Sequence, residues 1–136
     1  MEPVYTATVV GAGMGGKGSM KGLVDSGRFR LVGVTDWNQN ARGWVEDSYP
    51  GIRTFSTHTE MFAACPSDVV CVSTWPPTHL EVTLDAVAQG LKGILVEKPL
   101  ADTHREGSEI LQAIKGKNLP MVVPHGLLVL DHSREI

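Results

Sequence analysis

The sequence predicts an α/β fold: a doubly wound, parallel, six-stranded sheet with helices on both faces. Three observations predict it. Apolar runs alternate with helix-like segments along the 136 residues, as they do where strands are joined by crossover helices. Two of the runs, Val69-Val70-Cys71-Val72 and Ile94-Leu95-Val96, are apolar without a break, which suits central strands covered on both faces. Three segments, starting at Thr57, Thr78 and Thr103, carry Glu three positions on, at Glu60, Glu81 and Glu106. In that spacing a hydroxyl and a carboxylate cap the first turn of a helix reciprocally.

In chain order, strands are expected at 4–10, 29–35, 52–55, 68–73, 93–97 and 120–124. Helices are expected near 14–26, 39–48, 58–64, 79–90 and 103–117. The first strand runs apolar from Val4 to Val10 into a glycine-rich turn, and a helix-compatible stretch follows. The second, Phe29 to Thr35, ends at an aspartate. On the fourth helix, Leu80, Leu84, Val87 and Leu91 fall on one stripe, read as core contacts with the sheet. Gly90 and Gly93 bracket the turn that stops this helix before the fifth strand. Pro124 and Gly126 mark a turn after the sixth strand, so the apolar Leu127-Leu128-Val129-Leu130 begins a new element.

The bulk composition bounds the function classes. The chain is 42% hydrophobic and 20% charged, with 12 basic and 15 acidic residues for a net charge of −3. No basic block argues for a nucleic-acid partner. No apolar run is long enough for a membrane span. A strand begins within a few residues of Met1, which leaves no room for a signal peptide. Cys65 and Cys71 have no metal-ligand spacing and sit on apolar segments, as reduced core thiols of a cytoplasmic protein do. Nor does any pair of histidines have credible ligand spacing, so no metal is expected. His58 and His104, second residues of their capping segments, are expected to be exposed.

The turn after the first strand carries the chemistry. It reads Gly11-Ala12-Gly13-Met14-Gly15-Gly16, with Asp36 twenty positions further on. Glycines at 11, 13 and 16 allow a tight turn, close approach of backbone to a pyrophosphate, and close packing of helix on strand. The helix N-terminus offers N–H groups and a positive dipole end to the phosphates, and Ala12, Met14 and Gly15 are expected to contribute their N–H groups too. Asp36, ending the next strand, suits the hydroxyls of an adenosine ribose. The conjunction of strand, glycine turn, helix and distant acid points to a Rossmann-type dinucleotide site. The carboxylate repels a 2′-phosphate, so NAD is expected over NADP. Lys17, Arg42 and Arg53 are read as surface charges, though any of them could swing toward a phosphate.

Three segments together resemble the glucose-fructose oxidoreductase / inositol dehydrogenase / MocA family. They are the glycine turn with Asp36, the run Asp68-Val-Val-Cys-Val-Ser-Thr-Trp-Pro-Pro-Thr-His79, and Gly93-Ile-Leu-Val-Glu97-Lys98-Pro99-Leu100-Ala101. The Glu-Lys-Pro element is the specific one. The resemblance covers residues 4–125 and implies NAD(P)-dependent hydride transfer to or from a sugar, inositol or related polyol. It also implies a second domain that supplies much of the substrate pocket and the main oligomer interface. On this reading residues 1–125 are the NAD(P)-binding domain. Residues 126–136 are a tail leading toward a missing domain, although Gly126-Leu127 stand where the family commonly has an aromatic residue and then Arg.

The resemblance also implies roles at the site. Lys98 is the candidate catalytic residue. Desolvated, it exchanges a proton with a substrate hydroxyl; charged, it polarises a carbonyl or holds the nicotinamide ribose. Its bond to Pro99 is often cis in the family. Glu97 orients the turn. Ser73, Thr74, Trp75 and Pro76 follow the fourth strand at the carboxyl edge, where ligands of open α/β sheets sit. Trp75 lines the adenine or the nicotinamide side, or else Pro76-Pro77 simply stiffen the turn. Trp37 is expected near the cofactor. His79 is near the cofactor or is a local polar residue, and His125 could face the nicotinamide. The alternative function is a stand-alone NAD-binding or regulatory module without catalysis. Self-association through an apolar patch that includes Leu127 to Leu130 is expected.

Overall fold

A computed structural model describes residues 4–125. Its strands are β1 (Tyr5–Val10), β2 (Phe29–Thr35), β3 (Arg53–Phe55), β4 (Val69–Val72), β5 (Gly93–Val96) and β6 (Met121–Val122). Its helices are α1 (Met14–Asp25), α2 (Gln39–Ser48), α3 (His58–Ala64), α4 (His79–Val87) and α5 (His104–Gly116). All strand pairs are parallel, in the order β3-β2-β1-β4-β5-β6. The order reverses between β1 and β4, and the carboxyl ends of those two strands open the crevice where such sheets bind ligands.

The strand residues divide by alternation. Ala7 and Val9 of β1, Cys71 of β4 and Leu95 of β5 face α1 and α2, where they meet Met20, Leu23 and Val45. Val10, Val70, Val72, Ile94 and Val96 face α3, α4 and α5, against Met61, Phe62, Val82, Ala86, Ile110 and Ile114. Ala7, Val9 and Cys71 on one face and Val10, Val70, Val72, Ile94 and Val96 on the other are all buried, which is why these strands read as apolar runs. Over β4, β5 and β6 the α1 side is less covered. Val69, Leu95, the exposed Val122 and Gly18 and Gly22 of α1 line an apolar groove of about 460 Å³ there.

Some sequence expectations are corrected. The buried face of α4 is His79, Val82, Thr83, Ala86 and Val87, so of the expected stripe Val87 lies in the core and Leu84 departs from it. Leu84 is 38% exposed, and Leu80 and Leu91 pack at the margin of the core. Thr103 forms the full reciprocal capping box with Glu106, and the Thr57 hydroxyl accepts from the Glu60 N–H. Thr78 caps nothing. Pro76–Thr78 form a 3-10 turn that runs into α4. The Thr78 hydroxyl donates to the Trp75 carbonyl and lies 2.7 Å from the Thr74 hydroxyl. β6 is only two residues, between prolines at 120 and 124 that have no N–H for a ladder. The stretch 127–130 lies outside the described residues.

Both cysteines are free and buried. Burial, with the Glu97 charge as a lesser cause, pushes the Cys71 thiol up to about 12. At the other end of the sheet Asp68 fastens β4 to β1. Its carboxylate accepts from the Thr6 N–H at 2.8 Å and the Thr6 hydroxyl at 3.0 Å, and pairs with Lys92 at 2.8 Å. The Lys92 ammonium, then the Thr6 N–H, hold this carboxyl down at about 2 against an ordinary 3.8. A depressed pKa stabilises the fold above the unfolded value and loses that contribution as pH falls through the folded value. Melting followed from about pH 4 down to about pH 2 is therefore expected to show a fall in midpoint that Asp68→Asn, already uncharged, largely lacks.

Candidate dinucleotide-binding site

The glycine turn lies between β1 and α1, against the residues that follow β4. Gly11 has φ +97° and donates its N–H to Thr35 O at 2.7 Å. A Cβ on Gly16 would lie 1.8 Å from Gly11 O, so the first turn of α1 rests directly on the strand end. Gly13 is the N-cap of α1, and no side chain caps the helix. α2, α3 and α5 each have a side-chain cap, from Asn38, Thr57 and Thr103. A Cβ on Gly13 would meet nothing within 4 Å. The positive end of α1 thus faces open space, with Met14 beside it 93% exposed.

Asp36 is tied to this turn. One carboxylate oxygen accepts from the Ala12 N–H at 2.8 Å and the other from the Asn38 N–H at 2.8 Å. The first bond corrects the expectation for Ala12: its N–H serves Asp36, and the residue is 2% exposed. The positively charged neighbours are also engaged. Arg42 donates to the carbonyls of Asp36 and Trp37, at 2.8 and 3.0 Å. Lys17 sits 4.1 Å from the centre of the Trp44 ring, and Arg53 donates to Ala64 O.

A cleft of about 600 Å³ brings together Gly11, Gly13, Asp36, Trp37, Ser73, Thr74 and Trp75. Trp37 and Trp75 are 84% and 74% exposed on its walls. Sequence reasoning missed the wall made by Thr57, His58, Thr78 and Glu81. The available signal was the position of α3, which starts at the carboxyl end of β3. His58, expected to be exposed, has a side chain only 16% exposed. It bonds Asp85 at 2.8 Å and packs edge-on against Phe62. Ligand atoms of His58, Glu81 and Asp85 all lie within 4.8 Å of one another. The His58–Asp85 bond pins α3 to α4.

The remaining candidates lie outside the cleft lining. Pro76 begins the 3-10 turn beneath Trp75. The Glu97 side chain lies against Gly15, 3.3 Å from where a Cβ on that glycine would stand, on the α1 face of the sheet. The Lys98-Pro99 bond is cis, and Lys98 is exposed. His125 is exposed at the end of the described chain. His79 is a correction as a direct contact. It is fully buried, with Nδ1 3.0 Å from Pro99 O and 3.2 Å from Leu100 O, and Nε2 2.9 Å from Thr74 O.

Comparison with known proteins gives the family and the fold. Residues 6–125 match the oxidoreductase family, NAD-binding Rossmann fold, of Gfo/Idh/MocA type. An inositol 2-dehydrogenase of Burkholderia multivorans is 34% identical over 107 residues, which are 77% of this chain and 32% of that protein. An inositol 2-dehydrogenase/D-chiro-inositol 3-dehydrogenase of Halalkalibacterium halodurans is 36% identical over 113 residues, 77% of this chain and 30% of that protein. The chain therefore spans about a third of the length of these relatives. In fold it is similar to a myo-inositol 2-dehydrogenase from Lactobacillus plantarum, with TM-score 0.89, 23% identity, and 97% of this chain on 39% of that one. It is equally similar to the WlbA dehydrogenase from Bordetella pertussis, solved with NADH and UDP-GlcNAcA, with TM-score 0.89, 22% identity, and coverage of 97% and 40%.

Proposed function

We propose, because this chain belongs to the Gfo/Idh/MocA oxidoreductase family, that it is the dinucleotide-binding part of an NAD(P)-dependent dehydrogenase acting on an inositol, a sugar or a related polyol. The observation that carries the reading is the α1 N-terminus. It has no side-chain cap, it opens onto space that a Cβ at Gly13 would enter freely, and Asp36 stands beside it. Backbone N–H groups in that setting suit the two phosphates of a dinucleotide. The nicotinamide, when bound, supplies the hydride acceptor or donor.

The roles of this chain's own residues follow. Asp36 takes the adenosine ribose and disfavours a 2′-phosphate, which makes NAD the preferred cofactor. Trp37 and Trp75 wall the cleft. Lys98, at the carboxyl end of β5, holds the nicotinamide ribose by a hydrogen bond and holds a proton for the reacting hydroxyl. Residues 1–125 are the binding domain, and the tail from 126 leads toward the part that completes the substrate pocket. Alone, the chain binds cofactor without efficient turnover. The inositol 2-dehydrogenase relatives support the polyol class. The apolar groove over β4 to β6 supports self-association, which a strictly monomeric species in sedimentation at high concentration would remove.

Titration of the chain with NADH, and separately NADPH, tests the reading, with quenching of Trp37 and Trp75 as the signal. Saturable binding, tighter for NADH, is expected. Asp36→Ala is expected to weaken NADH by about 10-fold or more, the equivalent of at least one charge-assisted hydrogen bond. Asp36→Asn keeps an acceptor for the Ala12 N–H, so it separates loss of ribose contacts from loss of the turn. Absence of binding by either dinucleotide would move the weight to a regulatory or interaction module.

A further inference from the structure

We infer that His79 is a positioning residue: it clamps the turn after β4 to the turn after β5 and so holds Lys98 in register with Thr74 and Trp75. The inference rests on the proposed function of the same site. The imidazole is fully buried, and every partner it has is a main-chain carbonyl. Two of these carbonyls, Pro99 O and Leu100 O, belong to the segment that follows Lys98 directly. The third, Thr74 O, belongs to the segment that lines the cleft. A carbonyl only accepts and a neutral imidazole carries one N–H, so a proton on Nδ1 ties the start of α4 to the carbonyls after β5, and a ring carrying both protons ties Thr74 O as well.

Among the described residues, no other hydrogen bond joins these two turns. The last β4–β5 contact is the Glu97 N–H to Val72 O, at 2.9 Å, before either turn begins. Lys98 itself has no hydrogen bond or ion pair among the described residues. Its placement relative to Trp75 therefore depends on the backbone that His79 grips. The ring comes from the first residue of α4, which is anchored by Val82, Ala86 and Val87 in the core. The clamp is rigid because its base is packed.

The test combines His79→Leu, His79→Gln and Lys98→Met in a double-mutant cycle, with NADH affinity, melting temperature and apo chemical shifts as readouts. Leucine fills the space without a donor, and glutamine keeps a donor for one side only. His79→Leu and Lys98→Met are each expected to weaken NADH about 10-fold, and the double variant about as much as either alone, because residues acting as a unit are not additive. His79→Gln is expected to recover part of the loss. A merely structural His79 would lower the melting temperature while leaving affinity unchanged, or would add its effect to that of Lys98→Met, and either result overturns the proposal. If His79→Leu does not fold, the glutamine variant carries the same cycle. Should the parent chain bind no NADH, the proposed function fails, and the clamp is still read without cofactor. His79→Gln then moves the resonances of both Trp75 and Lys98, whereas shifts confined to α4 overturn it.

Discussion

Gly16→Ala is expected to melt about 10 °C or more below the parent chain, and to be largely unfolded if the parent is marginal. The added methyl would sit 1.8 Å from Gly11 O and 2.7 Å from the Gly11 carbonyl carbon. Both are backbone atoms, so no side chain can rotate away. Relief requires α1 to lift from β1, which breaks the packing of Met20 and Leu23 on Ala7 and Val9. Overpacking of this kind costs up to about 3 kcal/mol where the neighbour cannot yield. Thermal unfolding by circular dichroism measures it, and a variant melting within a degree or two of the parent would show that the helix is not seated as described.

Gly13→Ala is expected to do the opposite. Its Cβ meets nothing within 4 Å, and its φ of −75° with ψ of −161° is open to any residue. The folded chain loses no contact and the unfolded chain loses some freedom, so stability is unchanged or rises by about 0.4–1 kcal/mol. The methyl enters the space in front of the uncapped helix, where a pyrophosphate would have to approach. NADH affinity is expected to fall about 10-fold or more with the melting temperature intact. Together the two alanines separate the glycine that builds the turn from the glycine that leaves room at it. Unchanged NADH affinity in Gly13→Ala would place the phosphates elsewhere.

Much of this arrangement was legible in the sequence because it depends on main-chain rules. Glycines at 11, 13 and 16 after an apolar strand, with an acid ending the next strand, leave few other conformations. The unbroken runs at 69–72 and 94–96 identified the central strands. What was misread depends on packing in three dimensions. The leucines at 80 and 84 look like a core stripe, yet α4 turns His79 and Thr83 inward because carbonyls of neighbouring turns reach His79. Thr78 has the spacing of a cap, but Pro76 and Pro77 start a tighter turn one step earlier and occupy its hydroxyl. The Ala12 N–H reads as outward because nothing in one dimension shows the Asp36 carboxylate folding back on it. The α3 wall of the cleft appears only when β3 takes its place at the sheet edge beside β2.

The two free thiols make the chain its own clock for opening. Cys71 lies on β4 between Val9 and Leu95, 1% exposed, and in the folded state almost none of it is thiolate at neutral pH. Cys71 also lines the floor of the apolar groove beside α1, so an alkylating reagent reaches it when α1 lifts from the sheet, and its labelling rate follows that opening. Cys65 lies just past α3, 8% exposed, with its sulfur 3.6 Å from Val32 O. Release of that one short helix exposes it. Labelling is therefore expected in the order Cys65, then Cys71, and the interval between them measures how much more easily the α3 wall of the cleft loosens than α1 leaves the opposite face of the sheet.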